Sequence, residues 1–309
     1  MSSASIDMSS VSSGAVLGDG PRVVDFIALL KPRVMSLVVF TGFAGVILAP
    51  GHLHPLLATV AILCIAVAAG ASGAINMWYD RDMDAGMNRT RNRPLPAGRM
   101  NPADALGFGV VLAVAAVTVM GLAVNYVAAA LLVLAICFYV FVYTIWLKRR
   151  TPQNIVIGGA SGAFPPMIGW AAVSGDVSPA SLALFVIIFM WTPPHFWALS
   201  LYRCGDYARV GVPMMPVVAG ARETRKLVLL YTAVLVPLTL APFWLGVTGI
   251  AYASAALVLG VIFLGLALRL WVTATDAAAK AMFSYSILYL FALFAAMLAD
   301  ASTATWMTS

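Results

Sequence analysis

Long stretches of this 309-residue chain contain no charged side chain, and their lengths limit what it can fold into. Residues 34–79, 105–147 and 227–268 hold no Asp, Glu, Lys or Arg; 151–175 and 177–202 are equally bare on either side of Asp176, and 281–299 forms a last block. A helix crosses a bilayer with about 20 apolar residues. The three longest blocks therefore suit two passes each, turning near Pro50-Gly51, Asn125-Tyr126 and Gly246–Gly249. The sequence predicts an all-α, polytopic membrane protein: nine transmembrane helices around a central cavity, one domain over residues 23–300. The first helix is expected to start near Val24 and to carry Lys31-Pro32-Arg33 close to the interface. A composition of 62% hydrophobic and 10% charged residues excludes a soluble domain.

The charges themselves give an orientation. On the nine-helix reading all 18 Lys and Arg fall on one side, in the N-terminal region, in the loops after every second helix, or at adjoining helix ends. The opposite connections, such as Pro50–His54 and Ser174–Ser178, contain none. The positive-inside rule then puts the N-terminus in the cytoplasm and the C-terminus outside, as a multi-pass protein of a bacterial inner membrane. Orientation and anionic substrates account for the net charge of +6 without a nucleic acid. Residues 1–22 begin Ser- and Gly-rich and read as a disordered cytoplasmic tail rather than a cleaved signal or transit peptide. Residues 301–309 read as a short outer tail. Cys64, Cys137 and Cys204 have no metal-like spacing and count as small apolar residues.

Chemistry concentrates where the second helix ends. Asn76, Asp80 and Asp84 are spaced by four and share one helical face, whereas Asp82 points elsewhere and is expected in solvent. Stacked carboxylates at a bilayer boundary are costly and point to a bound cation, and their oxygens suit Mg²⁺, which commonly also takes substrate phosphates. Arg89 and Arg93 follow within a cationic run fit for phosphate oxygens. The competing reading pairs the acids with Arg81 or the later arginines and treats the basic run as topogenic charge. Lys148, Arg149 and Lys280 face the same choice between orientation and anion binding. Pro165-Pro166 and Pro193-Pro194 interrupt two helices, either as packing kinks or as a cavity wall.

Five stretches carry a resemblance to the UbiA-type superfamily of intramembrane prenyltransferases. They are Leu30–Arg33, Asn76–Arg99, Tyr143–Gly159 with its Lys148-Arg149-Arg150 cluster, Trp191-Thr192-Pro193-Pro194-His195, and Asp206-Tyr207 running on to Pro213-Met214-Met215-Pro216. The last two look like the haem-directed branch of that superfamily. The resemblance implies Asp80 and Asp84 as catalytic Mg²⁺ ligands, with Asn76 ligating or orienting one turn earlier. It implies Arg89, Arg93, Lys148 and Arg149 as diphosphate contacts. Farnesyl diphosphate and haem b are then the substrates, and haem-oxidase assembly proteins the plausible partners in the lipid bilayer. His195 reads either as a bundle hydrogen bond or as a haem contact. Most members carry a second Asp-x3-Asp pair, but here only Asp206 stands in that region, beside Arg203 and Arg209. Those arginines either replace part of a metal's charge, grip haem propionates, or merely pair with Asp206. A prenyltransferase acting on a quinone precursor would be expected to keep the second pair. A transporter would be expected to place its acids near the midplane.

Overall fold

The computed structural model describes residues 21–308, so the first twenty residues of the expected tail lie outside it. Every regular element is helical, and there is no strand among the described residues. Eight helices are long and apolar enough to span a membrane. In chain order the elements are α1 (Val23–Leu29), α2 (Pro32–Leu48), α3 (Pro55–Tyr79), α4 (Arg81–Gly86), α5 (Pro102–Val119), α6 (Tyr126–Cys137), α7 (Asn154–Gly158), α8 (Ala160–Ser174), α9 (Pro179–Tyr202), α10 (Cys204–Arg209), α11 (Met215–Val218), α12 (Gly220–Leu238), α13 (Ala241–Trp244), α14 (Ile250–Thr273) and α15 (Asp276–Thr308). π-helical turns extend α5 over Met120–Val124 and α6 over Phe138–Leu147. The last helix thus runs through the stretch read as an outer tail.

The expected first span is where the structure departs from the sequence reading. It is not one helix from Val24. Lys31 takes a left-handed conformation at φ 52° and separates α1 from α2, whose apolar part, Val34–Leu48, is shorter than the eight spans. Proline explains the break. Pro32 disfavours the helical region for the residue before it, and its missing N–H is harmless at the first helical position.

Two hydrophobic cores meet at α8, which feeds both. Ala163 and Trp170 join residues of α2, α9, α12, α14 and α15, while Phe164, Met167, Ile168 and Ala171 join α3, α5 and α6. The central position of this helix is visible in burial: 78% of the Asn154–Ser174 window is covered, against 22% of Pro102–Val124. Many large apolar side chains, Leu122, Tyr126 and Ile250 among them, point outward, as lipid-facing positions do. Where α2 crosses α8 the backbones touch. A Cβ on Gly45 would sit 2.0 Å from the Pro166 carbonyl oxygen, and one on Gly169 2.1 Å from that of Gly42. Only small residues permit such an approach between membrane helices.

Candidate active site

The Asn76–Asp84 segment is not a single helix, yet its three oxygen side chains share a face. Asp80 sits at the junction of α3 and α4, and the i→i−4 ladder passes through it. Asp80 N donates to Asn76 O at 2.9 Å and Asp84 N to Asp80 O at 2.8 Å. All three are buried.

Their partners come from distant parts of the chain. Asn76 Nδ2 donates to Asp80 Oδ2 at 2.7 Å and to Thr144 Oγ1 at 3.2 Å, and Asn76 Oδ1 accepts from Lys31 Nζ at 2.9 Å. Lys148 Nζ donates to Asp80 Oδ2 as well. Asp84 Oδ2 accepts from Arg93 Nη1 at 2.6 Å, and Thr90 Oγ1 donates to the Asp84 carbonyl at 2.9 Å. The left-handed break at Lys31 lets its side chain reach α3. The π turn of α6 positions Thr144, whose hydroxyl donates to Tyr139 O at 2.8 Å across a turn wider than an α-helix allows. Withdrawn from water and facing Arg93 and Lys148, the Lys31 ammonium is pushed down to about 7.

These groups stand at one end of a cavity of about 540 Å³, within the range of small-molecule sites. Lys31, Asp84, Arg89, Arg93 and Lys148 line its polar end, while Ile65, Leu132, Ile136, Ile168 and Leu290 line its interior together with Trp191, His195 and Phe283. Tyr139 and Tyr143 stand between the two regions with ring centroids 5.4 Å apart. Pro165, Ser161 and Gly162 also line it. The carbonyls freed by the first proline pair thus belong to wall residues, in line with the cavity-wall alternative.

Of the residues singled out from the sequence, Asn76, Asp84, Arg89, Arg93, Lys148 and His195 line this cavity, and Asp80 lies against it through Asn76 and Lys148. The rest stand apart. Arg149 forms a bidentate pair with Asp82, at 2.8 and 2.7 Å, which holds that carboxyl down at about 2, so Asp82 is partnered and not simply solvated. Arg81 donates to the Trp78 carbonyl at 2.7 Å, and of the competing pairings it is the later Arg93 that takes Asp84. Asp206 pairs locally with Arg209 at 3.3 Å, and Arg203 and Lys280 both lie over the Tyr202 ring. Sequence reasoning assigned no role to Lys31, Thr144 or Tyr139. A lysine directly before the proline that opens a membrane helix was the available signal for the first.

The donor set fits a hard cation. Asp80 Oδ1 is buried without a hydrogen-bond partner, which proteins rarely tolerate, and Arg149 Nη2 stands 3.8 Å away. Among the described residues no cluster of three or more His, Cys, Asp or Glu side chains forms a metal site, and Asp80 and Asp84 are the carboxylates at this end of the cavity. Asn76 has both ends of its amide engaged, which suits it to orienting rather than ligating.

Residues 38–304 match the model of the UbiA prenyltransferase family. The chain belongs to that family. Protoheme IX farnesyltransferase from Parvibaculum lavamentivorans is 62% identical over 89% of this chain and 88% of its own length. The enzyme of the same name from Azorhizobium caulinodans is 60% identical over 90% and 92%. The fold matches a solved digeranylgeranylglyceryl phosphate synthase with TM-score 0.76 at 16% identity, covering 90% of this chain and 98% of that one. It also matches a UbiA homologue from Archaeoglobus fulgidus bound to GPP and Mg²⁺, with TM-score 0.63 at 17% identity over 88% and 99%. The helix arrangement of the described residues therefore shares the fold of these solved structures.

Proposed function

We propose that this UbiA family member transfers the farnesyl group of farnesyl diphosphate to a vinyl group of haem b, giving haem O and releasing diphosphate. The observation that carries the reading is the charge-rich end opening directly into an apolar, aromatic-lined cavity, which matches a diphosphate head on an isoprenoid tail. The names of the relatives select the acceptor.

Around the polar end three cations, Arg89, Arg93 and Lys148, and the only partly charged Lys31 face two carboxylates, Asp80 and Asp84. The excess favours an anion. Arg89 is exposed at the mouth with no ion pair among the described residues, so it is available to diphosphate oxygens. Mg²⁺ held by Asp80 and Asp84 would supply neutralisation of the charge that builds on the leaving diphosphate. Lys148 and Asn76 keep the Asp80 carboxylate aimed, and Arg93 does the same for Asp84. As the allylic C–O bond breaks, its electron pair leaves with diphosphate beside these cations. The apolar walls and the rings of Tyr139 and Tyr143 shield the allylic cation from water. The vinyl group of haem b attacks the allylic carbon. Water adds to the resulting haem-side cation and loses one proton, leaving a hydroxyethylfarnesyl group. Arg203 and Arg209, beside Asp206, are the cations this reading offers to haem propionates, and Lys280, over the Tyr202 ring, a further cation for substrate oxygens.

The polar end is placed on the cytoplasmic face of a bacterial inner membrane, following the charge bias, with haem-oxidase assembly proteins receiving the product. The test is mass analysis of haem extracted after purified protein meets haem b, farnesyl diphosphate and Mg²⁺. The expected product carries one farnesyl group and one water. Unchanged haem in a folded preparation would overturn the assignment.

A further inference from the structure

His195 lies in α9, seven residues before its end at Tyr202, so roughly 10 Å inside the polar end at 1.5 Å per residue. Its ring lines the cavity, stacked between Trp191 at 4.3 Å and Phe283 at 4.7 Å. Its Nδ1 is 2.6 Å from Ser286 Oγ, on the facing turn of α15. That serine has one hydroxyl proton, and it is committed: Oγ donates to the Phe283 carbonyl at 2.6 Å. Ser286 can therefore only accept from the ring, and the ring proton sits on Nδ1. The serine is itself fixed, because Trp191 Nε1 donates to the Ser286 carbonyl at 2.8 Å. The neutral imidazole then carries its lone pair on Nε2, for which no partner exists among the described residues. No carboxylate touches the ring, so nothing in this aromatic slot favours an imidazolium. Trp191 and Phe283 cover the two faces, Phe196 stands perpendicular at 5.2 Å, and the lone pair lies in the plane of a ring that lines the cavity.

We propose that Ser286 is a positioning residue that holds His195 in the Nδ1–H form, so that Nε2 becomes an axial ligand to the iron of haem b seated in the cavity. This rests on haem b being the acceptor. A ligating imidazole characteristically donates its other N–H to a fixed acceptor, which sets the tautomer and the ring orientation. The porphyrin would be held at its central iron, and a propionate edge turned toward the cations of the polar end would stop it turning about the iron–nitrogen bond. The macrocycle is then fixed in rotation, and one vinyl group rather than the other meets the farnesyl carbon.

The experiment titrates haem b into the purified full chain without farnesyl diphosphate and records the optical and resonance Raman spectra of the bound haem. The wild type is expected to show an iron–histidine signature. His195→Gln should lose it, and His195→Gly should regain it on adding imidazole. Ser286→Ala should weaken haem binding several-fold and broaden the iron–histidine band, while Ser286→Thr, which keeps a hydroxyl, restores both. A wild-type spectrum in His195→Gln overturns axial ligation by this residue; a wild-type spectrum and affinity in Ser286→Ala overturns the positioning role. If the His195 variants do not fold, the Ser286 pair decides the question. Haem O formation by the wild type is measured in parallel. Failure there removes the acceptor assignment, whereas haem O formed with no iron–histidine signature sinks only the ligation.

Discussion

Two polar segments follow membrane helices in this chain, and they use the same residue types to opposite effect. After α3, Asp80 and Asp84 are buried, and their partners or those of Asn76 include Lys31 and Lys148, 45 and 68 residues away along the chain. After α9, Asp206 pairs with Arg209 three residues on, and that arginine's side chain is 54% exposed. An acid bonded across helices in a low-dielectric setting is held in one geometry. Asp206, its side chain 11% exposed, is instead paired within its own turn to an arginine that reaches solvent, a looser tie. On the proposed function, the first segment is the one suited to a multiply charged ligand, while Asp206 and Arg209 lie outside the cavity lining.

Removing a carboxylate from the first segment should have the largest effect on this contrast. Asp80→Asn or Asp84→Asn is expected to lower kcat by about 100-fold or more, the scale seen when a group stabilising developing charge is lost. Haem O formation by purified, folded variants checks this. Chelating Mg²⁺ from the wild type should give a loss of similar size that added Mg²⁺ reverses. Near wild-type turnover in Asp80→Asn would place the two segments on an equal footing.

Breaking the cross-bundle tie comes next. Lys148→Met leaves the buried Asp80 carboxylate with only the more distant Arg149 at 3.8 Å, so the cost should approach that of a broken buried pair, about 3–5 kcal/mol. The variant's Tm should fall clearly in chelator and recover partly with Mg²⁺, since the ion would take over the charge. A Tm insensitive to Mg²⁺ would argue that no ion sits on Asp80. Lys31→Ala removes a charge-assisted hydrogen bond, worth about 1.5–3 kcal/mol, and should raise KM for farnesyl diphosphate by about 10-fold or more.

The two segments also differ in how legible they were. Charge-free blocks fix membrane spans because lipid penalises any exposed ion, and a four-residue spacing fixes a shared face because the helix ladder is local. Asn76, Asp80 and Asp84 could therefore be read together. Lys31 could not be joined to them, because its reach depends on a left-handed residue that breaks an expected helix. Thr144 depends on a π turn, and Ser286 meets His195 across 91 residues. Such partnerships follow from packing, which a periodicity does not encode. Arg149 was legible as charge but not in its partners: Asp82 takes both of its terminal nitrogens, and one of them also stands 3.8 Å from Asp80.

The smallest effect belongs to the second segment, and it tests the contrast from the other side. Asp206→Asn removes one partner of a pair whose arginine reaches solvent, so the stability change should be about 1 kcal/mol, well below that at Asp80. Neither Asp206 nor Arg209 lines the cavity, so kcat should change by less than about 3-fold, with any shift confined to KM for haem b. If Asp206→Asn instead abolishes turnover, and does so with a changed Mg²⁺ requirement, then α10 closes over the mouth during the reaction. The segment after α9 would then carry a second cation position, and a single metal-binding end would no longer describe the enzyme.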